Sequence, residues 1–310
     1  MNRVLVTAGA GALGAALARR LLRDPDFEVR VSDRRAAPDW MREGCEVHTG
    51  DLRDPEQARA AVRGCSHVVL LAPQDRLEDA AAAPHSIWEM HNELYGAMVR
   101  AALGAGLERL VHVSSAVVFE RAERFPTPEG HLPDCPPPRS AYGWAALAGE
   151  VWCRTAHDEH GLPFTICRPC DAYGPEAVPE PLRLALDGVR PLPLGGVPGH
   201  TRTPTHLSDV ADGIVAAMAH ARGVNDDFNL AAAEELTVAE IARICWEAAG
   251  NDPDDFELAA AESGPADVPR RWPSAEKAER VLGWTARIDA RDGIARTATW
   301  LRTQQGATPA

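Results

Sequence analysis

An apolar run, Val4-Leu5-Val6, passes directly into TAGAGALG (7–14) and on into an Ala/Leu/Arg stretch from Leu13, and no other feature constrains the fold more. The run reads as a short buried strand. The stretch reads as a helix, and Asp24-Pro25 stops it. Gly9, Gly11 and Gly14 therefore form G-x-G-x-x-G between a strand and a helix. Glycine lets the backbone approach a pyrophosphate, and the helix N-terminus offers free N–H groups and a favourable dipole. Asp33 ends the next strand 19 residues after Gly14, close to the spacing of a carboxylate that bonds ribose hydroxyls. A carboxylate there repels a 2′-phosphate and favours NAD over NADP. Arg34 and Arg35 pull the other way, because an arginine at that edge accepts the phosphate.

The alternation continues. EVRVSD (28–33), EVHTGDL (46–52), HVVLLA (67–72), ERLVHVSS (108–115) and PFTICRP (163–169) read as strands. Helical stretches separate them, after Asp54-Pro55, over 86–104 and over 141–160. Repeated βαβ predicts an α/β fold, a doubly wound parallel sheet of Rossmann type with functional residues at the carboxyl ends of its strands. Residues 1–170 form the predicted dinucleotide domain. Beyond them proline and glycine crowd 174–204, and helices follow near 207–221 and 237–249 with a strand-like FNL between. Residues 171–310 are expected to form mainly a smaller α/β substrate lobe, with 207–230 returning to the first domain and 303–310 frayed.

Composition narrows the partners. The net charge is −13, which disfavours a nucleic-acid or anionic-membrane surface. No apolar run reaches the roughly 18 residues that span a bilayer. The start, MNRVLVTAG, has the form of a strand and not of an export signal. Seven scattered cysteines do not make a disulfide framework, so a cytoplasmic protein is expected. Cys167 and Cys170 form C-x-x-C without a second pair or nearby histidines, and no metal is expected.

Taken together, the motifs resemble the extended short-chain dehydrogenases/reductases of the NAD-dependent epimerase/dehydratase family, over nearly the whole chain. TAGAGALG resembles TGxxGxxG, with Ala8 in place of its first glycine and Ala12 and Leu13 opening the helix. GDL (50–52) resembles the adenine-edge segment, where Asp51 and Leu52 flank the base. LLAP (70–73) resembles HLAA and brings in Leu71 and Ala72, and Asn92 resembles the asparagine of the central helix. SSAVVF (114–119) resembles SSAxVY, and YGWAALAGE (142–150) resembles YGxSKxxGE. RPCDAYGP (168–175), GHTRTPTHLSDVA (199–211) and the K-A-x-x-x-L-G-W of 277–284 complete the series.

The resemblance implies hydride transfer at a hydroxyl-bearing carbon of a nucleotide sugar. Ser115 and Tyr142 stand at the catalytic positions. Arg202 and Arg271 stand where the family contacts the diphosphate and nucleoside, and Asp171 where it often has asparagine. It also implies a homodimer paired through the helices near 86–104 and 141–160. One departure is chemical: the family's lysine, one helical turn after the tyrosine, is Ala146 here, and the chain's single lysine is Lys277. With a pKa near 10, about one unperturbed tyrosine in a thousand is ionised at pH 7. The proton machinery is therefore expected to be impaired. Ala116 and Val117, where the family's dehydratases carry an Asp-Glu pair, cannot move a proton. Three readings stay open: an epimerase weakened at position 146, an NAD(P)H-dependent ketone or sugar reductase, and a non-catalytic NAD- and ligand-binding module.

Overall fold

A computed structural model describes residues 2–72, 83–194, 196–260 and 268–306. Pro73, the last residue of LLAP, and 307–310, half of the predicted frayed end, lie outside them; 303–306, the other half, belong to the last helix, which continues to Gly306. Seven parallel strands form one sheet: β1 (Asn2–Thr7), β2 (Phe27–Asp33), β3 (Glu46–Thr49), β4 (His67–Leu71), β5 (Arg109–Val113), β6 (Phe164–Pro169) and a seventh at Asp226–Leu230. Numbering the short lobe strands in chain order makes that seventh strand β10, and the sheet order is β10-β6-β5-β4-β1-β2-β3. The chain starts in the middle and winds outward both ways, so the carboxyl ends of β1 and β4 flank the reversal where such sheets bind ligands. Val4, Leu5 and Val6, like Val68, Val69 and Leu70, are wholly buried, because helices cover both faces.

On one face lie α1 (Ala12–Leu21), α2 (Asp39–Gly44) and α7 (Leu207–Ala219); Leu17, Leu21, Val210, Ile214 and Met218 share a core with Val4 and Val6. On the other lie α3 (Pro55–Val62), α4 (Pro84–Ala105) and α5 (Ala141–His160), whose Ala58, Met98 and Cys153 pack on Leu5, Val68 and Leu70. Local chemistry sets the ends of these helices. Asp54 caps α3 by accepting from the Glu56 N–H, and Ser140 caps α5 by accepting from the Gly143 N–H. Gly106 and Gly161 end α4 and α5 at φ 66° and 72°.

Most of the remaining elements sit over the carboxyl edge of the sheet, while Glu276–Leu282 packs on the sheet's core through Ala278 and Val281. They are β7 (Ala172–Tyr173), α6 (Glu180–Leu186), β8 (Thr201–Arg202), β9 (Thr205–His206), β11 (Leu236–Thr237), α8 (Val238–Ala248), α9 (Glu276–Leu282) and α10 (Ala290–Gly306). Tyr173, Leu182, Ile244, Ile294 and Ala298 form a small separate core there. FNL is part of the seventh strand and pairs with β6. The GDL segment leaves β3 as a turn. Trp284 of LGW packs in the core of the sheet and donates to the Asp209 carbonyl at 3.0 Å. No described helix is long and apolar enough to cross a membrane.

Candidate active site

A cleft of about 680 Å³ runs along the carboxyl edge from Asp33 to Arg271. Its first wall is the turn after β1. A Cβ on Gly14 would lie 2.4 Å from the Ala8 carbonyl oxygen and 2.7 Å from the Gly9 Cα, so only glycine lets the helix start so close to the strand. Ala8, in place of the family's glycine, adopts φ 48°, a left-handed conformation that costs a side-chain-bearing residue about 1–2 kcal/mol. Gly11, Ala12, Leu13 and Gly14 line the cleft, and Gly9 lies beneath, against Val31.

At the end of β2, Asp33 accepts from the Ala10 N–H at 3.0 Å and from Arg35 through Nε and Nη2, each at 3.1 Å. Burial pushes its carboxyl up, but Arg35 and the two backbone donors outweigh that and hold it below the ordinary carboxylate value. Asp51 is held low chiefly by its fork with Arg53, against some burial, and Arg34 lies 4.0 Å away. Leu52, Leu71 and Ala72 complete this wall. A glycine turn at a helix N-terminus, an acid placed for a ribose diol and an apolar slot for a base fit NAD.

Ser115, Tyr142 and Ala146 all line the cleft. Ser115 follows β5, and its hydroxyl accepts from the Val117 N–H at 3.3 Å, opening a 3₁₀ turn that buries Ala116 and Val117. Tyr142 sits in the first turn of α5. Glu120 fixes that end by accepting from the Arg139 and Ser140 N–H groups at 2.6 and 3.0 Å and from the Ser140 hydroxyl. Ala146, one turn on, is 3% exposed and packs with Val118, Phe119, Leu132 and Leu147. Lys277 is committed elsewhere, to Asp226 and Asp227 at 2.6 and 2.9 Å.

At the far end, Asp171 adopts φ 41° and pairs with Arg271; both line the cleft. The Thr203 N–H donates to the other Asp171 oxygen at 3.1 Å. Besides Gly9, two of the expected residues are not part of the cleft lining. Asn92 donates to the Trp88 carbonyl at 2.8 Å on its own helix, and Arg202 donates to the Thr201 and Val268 carbonyls at 2.8 and 2.7 Å.

Sequence reasoning passed over a layer under the cleft. His91 and Tyr95 of α4 line it, with the His91 Nδ1 3.4 Å from the Tyr95 hydroxyl. The Tyr95 ring meets His112 edge-on at 5.0 Å. Burial pushes the His112 imidazole down to about 4, despite Glu150 nearby. Glu150 accepts from Ser114 at 2.7 Å and from Arg168 at 2.7 and 2.6 Å, and Arg168 reaches on to Asp227. Burial raises the Glu150 carboxyl, but Arg168 and Ser114 bring it below its ordinary value. One signal was available: His91, Leu94, Tyr95 and Met98 share the i, i+3, i+4, i+7 buried stripe of α4, where polar side chains are out of place.

The chain is 23% identical to a trifunctional UDP-glucose 4,6-dehydratase/UDP-4-keto-6-deoxy-D-glucose 3,5-epimerase/UDP-4-keto-L-rhamnose-reductase of Arabidopsis thaliana, over 96% of its own length and 47% of that protein. It thus spans about half the length of that relative. It is 27% identical to the dTDP-glucose 4,6-dehydratase of Streptomyces antibioticus, over 96% of the chain and 92% of the relative. The UDP-glucose 4-epimerase of Thermus thermophilus, solved with NAD, superposes with a TM-score of 0.85 at 26% identity, over 99% of this chain and 100% of that one. The model of the NAD-dependent epimerase/dehydratase family matches residues 4–231, from β1 past the last strand of the sheet, and the chain belongs to that NAD-dependent family.

Proposed function

We propose that the protein is a nucleotide-sugar epimerase, which oxidises one sugar hydroxyl transiently and returns the hydride to the opposite face of the ketone. The observation that carries this is that Ser115 and Tyr142 line one cleft, with Ala116 and Val117 after the serine buried and aliphatic. An alcohol can be oxidised there, but no side chain at 116 or 117 can move the protons of a dehydration. The glycine turn and Asp33 would hold NAD, which would supply the hydride acceptor and donor. Tyr142 takes the hydroxyl proton and gives it back, and Ser115 holds the same oxygen. Arg271 faces the diphosphate.

The Asp171–Arg271 pair favours a second reading. A carboxylate already on the arginine weakens its hold on a diphosphate, which suits a reductase of a non-phosphorylated ketone. Two copies would pair through α4 and α5, whose Trp88, Trp144 and Val151 are exposed, and seven free thiols suit the cytoplasm.

The test incubates the protein and NAD with uridine, guanosine and thymidine diphosphate sugars. Isomers without net NADH support epimerisation, whereas steady NAD(P)H consumption with simple ketones supports the reductase. Arg271→Ala should weaken UDP binding by about 1.5–3 kcal/mol in calorimetry. An unchanged affinity removes the diphosphate from the site. NAD and sugar-nucleotide binding without turnover, even after Ala146→Lys, would leave only a binding module.

A further inference from the structure

The segments that carry Ser115 and Tyr142 are tied together at two points. Ser115 opens a tight turn: its carbonyl accepts the Val118 N–H at 3.2 Å, and the Val117 carbonyl accepts the Glu120 N–H at 3.0 Å. Before the turn, Ser114 donates to Glu150, farther along α5. After it, the Glu120 carboxylate accepts from the Arg139 and Ser140 N–H groups and from the Ser140 hydroxyl, and that hydroxyl in turn accepts the Gly143 N–H at 2.9 Å. The carboxylate is seated against the helix itself. A Cβ on Gly143 would lie 3.0 Å from the Glu120 Oε1 and 2.6 Å from the Pro138 Cβ. Tyr142 lies inside this frame, and its ring meets His91 edge-on with centroids 5.9 Å apart.

We infer that Glu120 is a positioning residue that sets the Tyr142 hydroxyl against the Ser115 hydroxyl, an inference that rests on the roles proposed above for those two groups. The argument is one of tolerance. Both hydroxyls must hold the same substrate oxygen, and a misplacement of about 1 Å costs such a pair about 100-fold in rate. Glu120 is the residue that follows the serine turn, and its partners Arg139 and Ser140 are the residues just before the helical turn that carries Tyr142. A carboxylate bonded to two successive N–H groups fixes direction as well as distance, and bonds to an ionised acceptor are the stronger kind. Its charge also suits the positive end of the α5 dipole. Glu120 is not part of the cleft lining and acts through the start of α5. The apolar contacts of the turn, Val118 and Phe119 on Ala146, do not depend on it.

The test has two arms, each read on the whole protein. The first needs no substrate. The chain has three tyrosines, so ring-labelled tyrosine gives three NMR signals, and that of Tyr142 is the one lost in Tyr142→Phe. Glu120→Ala should move the Tyr142 signal and leave that of Tyr173, in the lobe core, in place. Glu120→Gln loses the charge but keeps an acceptor oxygen, so its Tyr142 signal should stay nearer the parent's. An unmoved signal in Glu120→Ala overturns the inference, whatever the protein catalyses. An equal shift in both variants also overturns it, because charge and not position would then be the cause. The second arm compares turnover of the uridine, guanosine or thymidine diphosphate sugar that the parent converts. Glu120→Ala should lose about 30–100-fold in kcat and Glu120→Gln about three- to tenfold, with KM and NAD affinity within about twofold. An unchanged kcat in Glu120→Ala, or a KM that rises in step with the loss, overturns the inference. If Glu120→Ala does not fold, Ser140→Ala removes one bond of the brace and should still lower kcat several-fold; an unchanged kcat there has the same force. A moved Tyr142 signal in a protein that converts no sugar nucleotide sinks the epimerase assignment and leaves the Glu120 brace standing.

Discussion

The two halves of the cleft are built differently. The cofactor half is mostly backbone and exposed charge: a glycine turn, N–H groups at the start of α1, and Asp33 and Asp51 forked by arginines at the surface. The other half rests on buried polar side chains: His91 beside Tyr95, Tyr95 edge-on to His112, and Glu150 bonded to Arg168. The first half keeps the family's pattern apart from Ala8. In the second, Ala146 stands where the resemblance implies a lysine, and Asp171, where it implies asparagine, pairs with Arg271. Backbone geometry tolerates little change because the cofactor must fit against it. A side-chain network can exchange one member for another if the whole stays satisfied.

Gly14→Val tests the first half with the largest expected effect. A side chain 2.4 Å from the Ala8 carbonyl must push α1 off the turn, so NAD affinity should fall about 100-fold or more, near 3 kcal/mol. Calorimetry with unchanged affinity would show that the turn is not the pyrophosphate site. His112→Leu probes the second half. The folded protein holds His112 neutral down to about pH 4, from an ordinary 6.5. Its contribution is therefore complete above 6.5 and is lost as pH falls towards 4, because the unfolded chain takes up a proton that the folded one refuses. Urea unfolding should show the parent losing about 2–3 kcal/mol more than the variant between pH 7 and 4.5. Equal losses would mean that the buried layer does not set the acid response.

Asp33→Asn should be milder. Loss of the charge on the ribose diol should weaken NAD about tenfold, near 1.4 kcal/mol, and relax discrimination against NADP. If the parent already binds NADP more tightly, Arg34 and Arg35 govern the edge and the NAD preference is wrong. Ala8→Gly should have the smallest effect, a gain of about 0.5–1 kcal/mol in unfolding free energy with NAD affinity little changed, because it relieves φ 48°. A loss of stability would mean that the alanine carries no conformational strain in the turn.

Most of the sheet was legible, because strands buried on both faces are continuous apolar runs and α4 and α5 carry strong helical spacing. Asp226–Leu230 was harder. DDFNL has two acids, and its place as the seventh strand depends on Lys277, Arg154 and Arg168 meeting those acids across the fold. Motif order brought Ser115, Tyr142, Asp171 and Arg271 to one cleft, but it equally named Asn92 and Arg202, whose side chains turn to nearby carbonyls. A motif places a backbone position; the direction of the side chain depends on what packs around it.

By itself the sequence determined the alternation of strands and helices, the glycine turn and the absence of a lysine at position 146, because local periodicity, backbone sterics and residue identity need no tertiary partner. Only the tertiary structure decided that Asp171 neutralises Arg271, that Lys277 serves a distant acid pair, and that His91 stands against Tyr142. Those pairings join residues far apart in the chain, and their energies come from distance and burial, which exist only once the sheet has brought its carboxyl edge together.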